Sequence, residues 1–163
     1  MNLVKPLKTH KKDVMEFREE LLKETNKISG SVALEQAINY NDWLNHKYVP
    51  HYGTVDELIY LAYENNVLVG ISDIRLTTND FVLTYAGQIG YSVRPSQRGK
   101  GYATEILKLT LLEARKHNFD RVLVTCNEPN IASSKVIERN GGVLESIVPH
   151  SGFPDVKRYY ISL

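Results

Sequence analysis

The chain has little of what marks a metal, redox or membrane protein. Cys126 is its single cysteine, so no internal disulfide can form, and a lone thiol fits a reducing, cytoplasmic compartment. His46 and His51 flank Pro50 in an expected loop, where they either line an acceptor site or are ordinary surface histidines; with no H-E-x-x-H spacing and no cysteine partner, no metal is expected. No apolar run reaches bilayer-spanning length, and the opening MNLVKPLKTHKKD lacks the apolar segment of a secretory signal. An excess of one charge is missing too. The formal net charge is +1, which gives no broad cationic face for nucleic acid or anionic lipid, so any anion site must be local. Internal repeats, low-complexity tracts and flexible linkers are absent as well.

What is present describes one globular domain over residues 1–163. Hydrophobic residues make up 42% and charged residues 24% of the chain, ordinary proportions for a single core of this length. Helical spacing of Val14, Phe17, Leu21 and Leu22 behind a Thr9 cap predicts a helix over 10–25. After the break Ser29-Gly30-Ser31, a second helix is expected over 32–48, with Leu34, Ala37 or Ile38, and Trp43 or Leu44 facing the core. Two apolar runs around Asn65-Asn66 predict a hairpin, since Asn tolerates positive φ. Residues 77–87 read as loop, with FVLTY a candidate short strand. Gln88–Val93 reads as a strand with Ile89, Tyr91 and Val93 on one face.

A helix follows over 101–117, then a strand at Arg121–Cys126, a turn at NEPN, a short helix over 131–139, and two closing strands, VLESIV and VKRYYISL, paired with each other. The order predicts a mixed α/β (α+β) sheet with helices packed on it. The strand–helix–strand unit over 88–126 predicts one parallel, right-handed crossover.

The segment VRPSQRGKGYATEIL, Val93–Leu107, lies at the strand-to-helix junction of that unit. It is either a solvated basic turn or an anion site. A helix start offers unpaired N–H groups and partial positive charge. Gly99 and Gly101 let backbone approach a ligand closely, and Arg98 and Lys100 add formal charge, which together suit a phosphate or pyrophosphate. The P-loop spacing is not met, because Gly101 follows Lys100; the dinucleotide fingerprint fails because Thr104 stands at its third glycine.

Arg98-Gly99-Lys100-Gly101-Tyr102-Ala103 resembles the acyl-CoA motif [RQ]-x-x-G-x-[GA] of the GNAT N-acetyltransferases. It follows GQIGYSV and opens a helix, and RVLVTC then leads into NEPNIASSKVIERNGG, similar to that family's N-x-x-[AS] helix. The resemblance spans nearly the whole chain beyond residue 10. It implies a mostly antiparallel sheet with one parallel pair splayed at the acyl-CoA site and helices on both faces. It also implies acetyl-CoA as acyl donor, a primary amine of a small molecule or peptide as acceptor, and leaves a homodimer open. Carried over residue by residue, it implies backbone contacts from Tyr91 and Val93 to the pantetheine arm. Backbone N–H groups from Arg98 through Ala103, and Thr104, would hold the pyrophosphate. Asn130 and Ser133 would meet the lower part of the cofactor, with Lys135 near the phosphates.

Amine attack on a thioester needs a base for the ammonium, a donor for the oxyanion and a proton for the departing thiolate. The family's usual tyrosine acid falls at Ile137 here, a departure that keeps open a non-catalytic acyl-CoA sensor. Cys126, at a strand end, is a substitute acid or a small buried hydrophobe. Asp73, in an otherwise apolar strand, is a candidate base whose pKa burial would raise, or an acid on the sheet edge or solvent face paired with Arg75 or a lysine. Tyr91 can reach inward, Glu128 is a second carboxylate near the turn, and Glu105 reads as a partner of the helix dipole.

Overall fold

The computed structural model of the protein covers residues 1–163 and contains a seven-stranded sheet in the order β1-β2-β3-β4-β5-β7-β6. The strands are β1 (Asn2–Val4), β2 (Glu57–Glu64), β3 (Val67–Arg75), β4 (Ile89–Val93), β5 (Arg121–Asn127), β6 (Val143–Val148) and β7 (Val156–Ser162). The helices are α1 (Lys11–Leu22), α2 (Tyr40–Leu44), α3 (Tyr102–Arg115) and α4 (Ile131–Arg139). Asn65 and Asn66 both take positive φ and turn β2 into β3. The closing strands pair antiparallel as expected. The edge strand β1 carries too few residues for a sequence signal and is held by its ladder to β2.

Period-two alternation splits the sheet's apolar residues between two cores. Ile59 and Leu61 face α1, where Val14, Phe17, Leu34, Tyr40 and Trp43 close over them. Tyr60, Ile74, Ile89, Val122 and Val124 face the other side and pack under Leu107 and Leu111 of α3 and Ile137 of α4. All the adjacent pairs are antiparallel except β4–β5, which is parallel and joined at a single register pair, Ile89 with Val124. Beyond that point the two strands separate.

The expected helix over 32–48 does not form as one element. Only Leu34–Gln36 makes a short 3-10 turn, and α2 is five residues long. Val32, Ala33 and His46 hold positive φ, and side chains from elsewhere satisfy the irregular backbone. Arg18 donates to the Leu34 and Glu35 carbonyls, and Trp43 Nε1 donates to the Ser31 carbonyl. FVLTY is not a strand either. Val82–Ala86 forms a π-helical turn, opened by Asn79 Oδ1 accepting from Val82 N–H and closed by Arg75 Nη1, which donates to the Ala86 and Gly87 carbonyls. Gly30 packs directly on β4: a Cβ there would stand 2.5 Å from the Gly90 carbonyl oxygen, so only glycine fits.

Candidate active site

The gap between β4 and β5 opens into a cavity of about 820 Å³. Arg94 N–H donates to Val69 and the Gln88 carbonyl accepts from Arg75 N–H, so even-numbered residues of this strand address β3. Alternation then aims the backbone groups of Tyr91 and Val93 at β5, across the gap and into the cavity they line.

At one end the cavity meets the start of α3. Arg98 N–H is spent on the Pro95 carbonyl, and Glu105 N–H returns to Gly101. Between them, no backbone N–H from Gly99 to Thr104 has a protein acceptor. Gly99 and Gly101 hold φ of 78° and 81°, and a Cβ on either would project into open space. A strand-to-helix junction thus presents a run of free donors plus the helix dipole. Arg98 pairs with Glu24 at 2.6 Å while its side chain lines the cavity. Lys100 does not line it: its Nζ donates to Gln97 Oε1. The expected run of donors is therefore shorter by Arg98, and Lys100 contributes field rather than contact. Lys135 and Arg139 of α4 line the same end, and the sequence carried no motif for Arg139.

Midway, three expected residues converge. Tyr91 Oη lies 2.8 Å from Ser133 Oγ, and Cys126 Sγ lies 3.4 Å from Ser134 Oγ. Asn130 Oδ1 caps α4 by accepting from Ser133 N–H, which orients that serine. Burial pushes the Tyr91 phenol up to about 12, the Ser133 hydroxyl drawing it partly back. Burial also raises the Cys126 thiol, so it stays protonated near neutrality. Ile137, at the position of the family's tyrosine, is fully buried in the core.

Asp73 lies behind the cavity rather than in its wall. It is 0% exposed, and its Oδ1 accepts from Gly90 N–H at 2.8 Å. Its Oδ2 accepts from Arg75 Nη2 at 2.9 Å and contacts Tyr52 Oη at 3.1 Å. The geometry fits the Arg75 pairing, but the pair is buried in the sheet and not on its edge or solvent face, and both carboxylate oxygens are engaged by protein groups. Tyr52 Oη also lies 2.6 Å from Glu57 Oε2. One hydroxyl hydrogen cannot serve both carboxylates at once: Tyr52 donates to one of them, and a protonated Glu57 can donate to Tyr52 Oη and free the phenol hydrogen for Asp73. Burial and then the Asp73 charge push Glu57 up to about 7, against the opposing pull of Tyr52 and Arg75. Glu128 and Glu105, the other candidate acids, do not line the cavity.

The far end is walled by residues with no sequence motif. The π-helical turn delivers Phe81 and Tyr85, and Tyr85 stacks on His150 with centroids 4.1 Å apart. His51 meets Tyr52 and Phe81 edge-on. His51 is exposed, yet its partial desolvation, followed by Lys27, Arg75 and His150, pulls it down to about 4. The three residues that press on His51 are contributed by three separate loops and strands. No group of histidine, cysteine and carboxylate side chains with metal-binding geometry is present, and no helix is long and apolar enough to cross a membrane.

No curated protein sequence matches the chain. Among solved structures it is similar to RimL, a ribosomal-protein alpha-N-acetyltransferase in complex with coenzyme A, with a TM-score of 0.73 and 18% identity over 99% of this chain and 93% of that one. It is also similar to a variant of the spermidine N-acetyltransferase SpeG of Vibrio cholerae, with a TM-score of 0.70 and 16% identity over 99% and 95%. YncA of Salmonella typhimurium, solved with acetyl-CoA, matches with a TM-score of 0.68 and 16% identity over 99% and 93%. The family model of the acetyltransferase (GNAT) domain matches residues 6–143. A β4–β5 splay leading into a helix start with free backbone donors is what the resemblance implied from sequence, and the chain belongs to the GNAT acetyltransferases.

Proposed function

We propose that the protein transfers the acetyl group of acetyl-CoA to a primary amine that attacks the thioester directly while both are bound. The observation that carries this reading is the continuity of one cavity from the free N–H groups of Gly99–Thr104, along the exposed edge of β4, to the aromatic end. The bound CoA and acetyl-CoA of the similar structures support the same donor.

In this reading the donors from Gly99 to Thr104 hold the pyrophosphate, reinforced by Arg98, Lys135 and Arg139. Tyr91 and Val93 pair through their backbone with the pantetheine arm, as a β-strand would pair with a neighbour, and Asn130 and Ser133 flank its lower part. Acetyl-CoA supplies the activated acyl group. A backbone N–H on the exposed edge of β4 faces the oxygen that gains charge. The incoming ammonium gives up its proton to His51 or to water, since no carboxylate reaches the cavity wall. The departing thiolate receives a proton from Tyr91, whose hydroxyl is re-supplied through Ser133; the Cys126 thiol stands beside them as the alternative donor. Asp73 acts by position: it fixes Gly90, and with Arg75 it fixes the π-helical turn.

The competing reading, a CoA sensor without catalysis, is favoured by the apolar Ile137. An acceptor panel with acetyl-CoA, read as free thiol, separates the two. Thiol release with any amine supports transfer. Thermal stabilisation by CoA without release from any amine sinks the enzyme and leaves the sensor. The absence of any stabilisation at saturating CoA would sink both, since a bound ligand in large excess adds a few kcal/mol.

A further inference from the structure

Resting on the acetyl-transfer reading, we infer that the acceptor is an amine carrying its own anionic group, of amino-acid type, and not a polycation. The cavity wall is charged in one sense only. Its ionic side chains are Lys27, Arg75, Arg98, Lys135 and Arg139, with no aspartate or glutamate. Three of these sit at the pyrophosphate end. Lys27 and Arg75 remain at the aromatic end, where their charges converge on His51.

Lys27 is the free one. Arg75 is buried and spends its Nη atoms on Asp73, Ala86 and Gly87, leaving only Nε without a partner. Lys27 has no carboxylate within ion-pair distance. Glu35, whose charge raises Lys27 against its desolvation, lies off the cavity wall and accepts from Ser31 Oγ. A polyamine entering here would meet the Lys27 cation with no acid on the cavity wall to balance it, a like-charge contact that disfavours it, whereas the Arg75 charge is already balanced by Asp73. A carboxylate beside Lys27 fills the missing pair. The same carboxylate offsets the field on His51 and so raises its basicity when the acceptor is bound, which couples acceptor binding to acceptance of the ammonium proton. The Tyr85–His150 stack and Phe81 suit a flat or apolar side chain beyond the amine.

The test uses matched pairs on the full chain: phenylalanine against phenethylamine, and glutamate-tipped against amidated, uncharged dipeptides, with spermidine as the polycation. Thiol release gives kcat/KM for each. Thermal shift with CoA plus N-acetylphenylalanine or N-acetylphenethylamine reads the same preference without turnover. The carboxylate member of a pair should lead by about tenfold or more, the scale of one good ion pair. Lys27→Glu should reverse the order, and Lys27→Ala should flatten it, with the CoA shift unchanged in both. Preference for the free amino acid over the peptide, or the reverse, identifies the source of the carboxylate.

Spermidine or phenethylamine leading in the native protein would overturn the inference, as would an order indifferent to Lys27→Glu. These outcomes leave the transfer reading intact, because CoA binding and thiol release persist. Loss of the CoA shift in the native protein would instead remove the transfer reading and this inference with it.

Discussion

Asp73 Oδ1 accepts the Gly90 N–H at 2.8 Å, so a fully buried carboxylate on β3 fixes the strand residue next to the only register pair that joins β4 to β5. The same carboxylate balances Arg75, which in turn holds the turn carrying Phe81 and Tyr85. The splay and the aromatic wall are therefore tied to one buried ion pair.

Removing one partner of such a pair strands the other charge. Asp73→Ala should cost about 3–5 kcal/mol in urea unfolding, and Asp73→Asn less, because an amide oxygen can still accept from Gly90. If Asp73 only positions, the Asn variant keeps the acidic limb of the native kcat/KM profile. Disappearance of that limb would restore Asp73 as the base.

Gly101 should matter more than Lys100 for CoA. Gly101 holds φ of 81° beside the free donors, whereas Lys100 points to Gln97. Gly101→Val should weaken CoA binding by about tenfold or more, through backbone strain and a side chain placed where the pyrophosphate would lie. Lys100→Ala should stay within about threefold, as an outer, screened charge does. Calorimetric titration with CoA measures both, and the reverse ranking would reduce the segment to a basic patch.

Glu57 makes stability depend on pH. Its folded value of about 7 lies above its ordinary 4.5. The folded state thus binds more protons between those values, and the protein loses stability as pH rises from about 4.5 through about 7. Glu57→Gln imitates the protonated form and can still donate to Tyr52 Oη. The variant should match the native protein near pH 5 and exceed it near pH 8 by about 1 kcal/mol, allowing for partial exposure, or about 2–4 °C in Tm. Equal melting temperatures at pH 8 would place the proton elsewhere.

Tyr91→Phe separates proton donation from binding. It removes the hydroxyl beside Ser133 and keeps the ring in the core. A loss of about 100-fold in kcat is expected, the scale of general acid catalysis, with CoA affinity nearly unchanged. Cys126→Ala should leave kcat within a few fold. The opposite ranking would give the proton to the thiol.

Local chemistry decided much of this from sequence alone. The motif from Arg98 to Ala103, Asn65-Asn66 and the stripe of α3 each act within one turn or one hairpin, where glycine freedom, asparagine φ and helical periodicity leave few alternatives. The family, the element order beyond residue 55 and the parallel pair were legible for that reason. The segment 32–48 was not, because its backbone is satisfied by Arg18 and Trp43 from outside any local window. Asp73 shows the same limit: an acid in an apolar strand is visible in the sequence, but whether it faces a substrate or an arginine depends on which groups the sheet brings behind it.

The aromatic end of the cavity belonged mostly to tertiary structure. Lys27, His51, Arg75, Phe81, Tyr85 and His150 come from segments scattered over more than half the chain and share no spacing. The sequence determined where the run of free backbone donors forms, since one strand-to-helix junction suffices for that. Only the folded sheet decided what charge meets the acceptor, because that field is a sum over residues that become neighbours once β4 and β5 part.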